Sequence, residues 1–141
     1  MGTTIRPEVS KNNKWWLPKN RQLELKYYVK QYPAWKTTYE HLGSLSAMDM
    51  IRIATAKNPP MVGGSIVEKK VETMVRLSTK IDSVGLALSK VDNVIGPYVL
   101  RGIIEDYGYV YFKTKENIPC SKEYYYNVYR QFFWELSKIL R

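Results

Sequence analysis

From Leu17 onward, apolar residues return at helical spacing and rarely alternate. In "LPKNRQLELKYYVKQY", Leu17, Leu23, Tyr27 and Val29 or Lys30 stand near a period of 3.6. Pro18 fits the first turn there, because its missing N–H would have no partner at a helix start. Pro33 ends that element and permits a second helix over "PAWKTTYEHL", which Gly43 closes. "AMDMIRIATA" adds a further turn or two before "KNPPMVGGS", whose Pro and Gly density is that of a linker. Beyond it, Val67, Val71, Met74, Ser78, Ile81, Gly85 and Leu88 recur at alternating steps of four and three. That stripe predicts one long amphipathic helix of roughly seven turns. It has to be covered, either by packing within the chain or by a homodimer through the 66–90 helix.

Asp92 or Asn93 is suited to cap the next helix, "IGPYVLRGIIEDY", with Pro97 placing its start near Gly96 or kinking it there. "YGYVYF" is the one segment that alternates, and with no partner strand in view it is assigned to helix. A short helix from Tyr109 to Lys115 is followed by a turn holding Asn117, Ile118 and Pro119, with Ile118 plugging the corner. Ser121 then caps a final helix whose buried stripe is expected at Tyr125, Tyr129, Phe132, Phe133, Leu136 and Ile139. The fold class expected is all-α: a helical bundle with one long central helix and a C-terminal helix-turn-helix. Its divisions are a basic arm at 1–16, an N-terminal helical region at 17–58, a linker at 59–65, and the long helix with the C-terminal module at 66–141.

Charge adds a class of partner. The 141 residues carry 22 Lys and Arg against 13 Asp and Glu, a net +9, which favours polyanions: nucleic acid or an anionic membrane. No apolar run is long enough to span a bilayer, and Met1 to Arg6 lacks a signal core. A membrane is therefore not expected, and the double helix becomes the preferred partner. On the final helix, Lys122, Glu123, Tyr126, Asn127 and Arg130 lie opposite the apolar stripe. Arg and Lys donate to guanine, Asn pairs with adenine, Glu accepts from cytosine, and Tyr meets phosphate or a thymine methyl. A solvated face without a partner would look the same in sequence. Lys11, Lys14, Lys19, Arg21 and Lys26 either touch flanking phosphates or keep the surface soluble.

Catalysis has little to stand on. His41 is the only histidine, and no nucleophile or second ligand lies near it in sequence. Cys120 is the only cysteine, which excludes an internal disulfide and fits a reduced, cytoplasmic protein. Its place beside a helix start would make a thiol more acidic, but a compact side chain in a corner is the simpler role. "GGS" at Gly63 lacks the lysine of a phosphate loop. No metal, cofactor or enzymatic activity is expected.

"IPCSKEYYYNVYRQFFWELS", with "LPKNRQLELKYYVKQYPAWK" before it and "VDNVIGPYVLRGIIEDYGYVYFK" between, resembles the RinA family of phage transcriptional regulators. The likeness covers most of the chain. It departs from the family pattern at Ser121, Tyr124, the Gly96 and Pro97 pair, and around 59–65. The resemblance implies activation of late phage genes at promoter DNA, through a module similar to the DNA-binding region of sigma factors, with host RNA polymerase as a second partner. Two other classes fit the composition: a phage packaging protein of the terminase small-subunit kind, and a helical adaptor that binds protein through its tyrosines.

Overall fold

The structure, a computed structural model, describes residues 14–44 and 66–141. All regular structure among them is helical: α1 Lys19–Lys30, α2 Tyr32–Ser44, α3 Ile66–Ser89, α4 Gly96–Glu105, α5 Tyr109–Glu116 and α6 Lys122–Ile139. The arm up to Asn13 and the linker expected at 59–65 lie outside the described residues, as does "AMDMIRIATA". Two compact units result. One holds 1–32 with 83–141 and the other 33–82, so one boundary falls inside α3 rather than at the linker.

Each helix end has a local cause. Pro18 is the N-cap of α1, one place earlier than expected, and Gln31 closes it through N–H bonds to Tyr28 O and Val29 O. Pro33 sits in the first turn of α2, where its missing donor does no harm, and Gly43 is inside this helix rather than after it. Ahead of α4, Asp92 Oδ1 accepts from the N–H groups of Val94 and Ile95 at 2.8 and 2.9 Å. That turn lets α4 begin at Gly96 with Pro97 in its first turn.

Asp106 ends α4 in the left-handed conformation at φ 61°, and Asn117 ends α5 the same way at φ 52°. After Asp106, Tyr107 N–H reaches back to Gly102 O at 3.0 Å, the six-to-one bond of a Schellman close, and after Asn117, Ile118 N–H reaches Phe112 O at 3.2 Å. "YGYVYF" is helical from Tyr109 onward, since its tyrosines have no strand to pair with among the described residues.

In the first unit, α1, α4 and α6 pack on one another. Their core is Leu25 and Val29 from α1, Val99 and Ile103 from α4, and Tyr125, Val128, Phe132, Phe133 and Leu136 from α6. Val84 and Ala87 from the end of α3, Phe112 from α5, and Ile118 at the corner are also buried. Gly102 permits the closest approach. A Cβ there would lie 2.5 Å from Tyr125 Oη and 2.8 Å from Tyr107 O. In the second unit, the described part of α2 and α3 buries Trp35, with Lys80 Nζ 5.6 Å from its ring centre.

The stripes expected on α1 and α3 turn, whereas that of α6 stands at Tyr125, Phe132, Phe133 and Leu136. On α1, Leu23 and Tyr27 are exposed, Tyr27 at 62 %, and the core takes Leu25 and Val29. This helix carries apolar residues on more than one face, and the neighbours α4 and α6 select one. On α3, Val67, Val71 and Gly85 are exposed, while Met74, Ser78, Ile81 and Leu88 are half-buried. Burial falls instead on Ser83, Val84 and Ala87, at the end that joins the first unit. On α6, Tyr129 and Ile139 are half-buried, and Val128 and Arg130 take buried places.

Candidate nucleic-acid interface

The region singled out by sequence is α5, the corner Asn117 to Ser121, and the first turns of α6. Its scaffold is aromatic. Tyr109 Oη donates to Cys120 O at 2.6 Å, and Tyr126 Oη accepts from Tyr109 N–H at 3.4 Å. Tyr125 meets Tyr126 edge-on with ring centres 4.9 Å apart, and Tyr129 meets Phe133 similarly at 5.0 Å. Arg101 grips Glu116 with two bonds of 2.8 and 2.7 Å, which ties α4 to the end of α5. The start of α6 is held twice. Ser121 Oγ accepts from Tyr124 N–H at 3.1 Å, and Tyr124 Oη donates to Asp92 Oδ2.

The five residues expected to meet DNA are placed unequally. Glu123 is exposed; Lys122, Tyr126 and Asn127 are half-exposed. The Tyr126 hydroxyl accepts from the backbone of α5 and keeps its own proton to donate. Arg130 does not reach the outer face: it is 9 % exposed, so it is withdrawn from the reading set. Its place on α6 is on the outer side, two residues from Val128 and from Phe132, but the side chain runs back along the helix to Asn127, three residues earlier. Its Nη2 donates to Asn127 Oδ1 at 2.7 Å, and its Nε has no partner among the described residues. Burial lowers the guanidinium's pKa, an effect that the Glu123 carboxylate opposes.

Sequence reasoning passed over several neighbours. Lys113, Thr114 and Lys115 are exposed on α5, and Asn117 is exposed at the corner. Neither lysine nor Lys122 enters any of the ion pairs found among the described residues. The basic final turn of α5 was the available signal. Tyr124 was also missed, because its partner Asp92 is distant in sequence. The hydrogen bond from Tyr124, then those from Ile95 and Val94, hold the Asp92 carboxyl below the usual carboxylate range.

The other cations of the first unit serve local ends. Lys30 and Lys26 reach Asp106 at 2.6 and 3.9 Å, Arg21 reaches Glu24 and Ser137, and Lys14 lies 4.7 Å over Trp15. Lys19 is exposed, and Lys11 lies outside the described residues. Cys120 is half-buried, and burial pushes its thiol pKa up, the reverse of activation. His41 is exposed at the end of α2. Among the described residues, no group of three His, Cys, Asp or Glu could hold a metal ion, and no helix is long and apolar enough to cross a membrane. No family model, curated protein or solved structure matches the chain.

Proposed function

We propose that 109–139 is a helix-turn-helix that binds duplex DNA, with the first two turns of α6 set into the major groove. One observation carries this reading. A capped helix leaves a corner with Glu123, Lys122 and Asn127 toward solvent, while Tyr125, Val128 and Phe132 anchor its other side, and exposed Lys113 and Lys115 stand on the preceding helix. The lysines would position the module on phosphates, and the side chains of α6 would meet base edges. The net charge of +9 supplies long-range attraction. The regulatory role, activation of late phage genes with host RNA polymerase, is supported by the resemblance to the RinA family alone.

Titration of labelled duplexes at several salt concentrations tests the reading. Log affinity should fall linearly with log salt, at about 0.9 per phosphate neutralised. Replacing Lys113 and Lys115 together by Ala should flatten that slope by roughly two phosphates' worth and leave the helical circular dichroism intact. A flat salt response of the parent protein would sink the proposal.

A further inference from the structure

Arg130 is an unusual residue to bury. Its charge has no carboxylate within ion-pair distance among the described residues, and its only hydrogen bond is to a neutral amide, Asn127 Oδ1 at 2.7 Å. A buried charge with so little compensation opposes stability, and an apolar side chain of similar size would serve the core better. Its consequence falls on Asn127. A guanidinium can only donate, so the amide must turn its oxygen to Arg130 and its NH2 group away. Asn127 is half-exposed on the reading side of α6, so the group it offers outward is a donor.

We infer that Arg130 is a positioning residue that turns the NH2 group of Asn127 outward, favouring an acceptor-only group: the N7 and O6 edge of guanine, or a phosphate oxygen. This rests on the DNA-binding reading above. Adenine is disfavoured because its bidentate pair with Asn needs Oδ1 to accept from the adenine amino group. Here that oxygen already receives a guanidinium proton, and a fixed positive charge stands beside the place where a second donor would arrive. The same charge polarises the amide and strengthens its N–H donors. The adenine pairing expected for Asn127 from sequence is thereby replaced.

Selection of bound duplexes from a random pool, with the full chain and its Asn127→Ala, Arg130→Met and double variants, tests this. Met removes the donors and keeps an unbranched side chain of similar reach, so the fold should persist; Arg130→Lys, which keeps a donor and the charge, should retain the parent's behaviour. If the acceptor is guanine, the parent enriches G·C at one position that Asn127→Ala randomises. Arg130→Met then shifts that position toward adenine by about tenfold, and 7-deazaguanine there weakens the parent by about tenfold. If the acceptor is phosphate, 7-deazaguanine has no effect, and each single variant weakens all duplexes alike. In both cases Arg130→Met changes nothing further once Asn127 is Ala. Adenine enriched by the parent at the Asn127-dependent position overturns the inference, as does an Arg130→Met effect undiminished in the Asn127→Ala background. A parent that binds DNA and shows either result leaves the DNA-binding reading standing. A parent with no salt-dependent duplex binding overturns both.

Discussion

Tyr125 is 1 % exposed, and its hydroxyl has no hydrogen-bond partner among the described residues. It lies where Gly102 has no side chain, so two residues on α4 and α6 define one contact. Tyr125→Phe should leave stability unchanged or raise it slightly, because the hydroxyl it removes gains nothing inside. Gly102→Ala should cost about 1–3 kcal/mol, and combining it with Tyr125→Phe should recover only part, since Tyr107 O still stands 2.8 Å away. Denaturant midpoints of the three variants check this. The sign with pH is fixed too. Burial raises the hydroxyl's pKa above its ordinary 10.0, so the folded state holds a proton that the unfolded chain releases. The parent should therefore keep full stability below about pH 10 and lose it as pH rises further, more steeply than Tyr125→Phe. Parallel alkaline loss in both proteins would show that Tyr125 is not buried as described.

Between elements, the start of α6 is tied to the turn before α4 by Asp92, which accepts from Tyr124 Oη and from Val94 and Ile95 N–H. A carboxyl whose pKa is depressed on folding stabilises above its unfolded pKa and loses that contribution as pH falls through the folded one. Asp92→Asn keeps an oxygen for the Val94 and Ile95 N–H groups but loses the charge that strengthens all three bonds, so it should lower stability by about 1 kcal/mol at neutral pH, and the gap to the parent should close below about pH 4. A constant gap from pH 7 to pH 3 would rule out the carboxylate as the cause. Such a tie is invisible in sequence, because 32 positions separate its partners. What sequence shows well is local: Ser121 as a cap, Ile118 in the corner, Pro97 setting the start of α4, and the span of α3. What it shows poorly is which face of a helix turns inward. α1 has apolar residues on more than one face and the apolar face of α3 is broad, so the packing partner decides, and a periodicity count has no access to it. The five candidate contacts illustrate the limit. Their helix and its exposed start were legible, whereas the burial of Arg130 was not, because periodicity assigns a residue to a face and does not say which way a long side chain folds along it; here it runs back to Asn127.

Among the described residues of the whole molecule, burial is divided unequally between the two compact units. The described part of the unit spanning 33–82 buries Trp35 alone, while the other buries residues from α1, α4, α5, α6 and the end of α3. Local opening free energies follow buried apolar contact, so backbone amides should exchange in two tiers. Those of α2 and of α3 up to Asp82 should exchange through small openings, and those of α1, α4 and α6 should approach the global unfolding limit. Because α3 runs unbroken across the boundary, protection along it should be graded rather than stepped. It should rise from Val67, which is exposed, to Val84 and Ala87, which are fully buried. A helix opens from its less supported end, since propagation adds one bond per residue fixed and tertiary packing supplies most of the stability. Native-state hydrogen exchange on the full chain measures this directly. Amides over Val71 to Ile81 as slow as those over Val99 to Ile103 would mean that the 33–82 unit has a core equal to the other. The DNA-binding proposal would be unaffected, since its residues belong to the unit in which 109–139 is anchored.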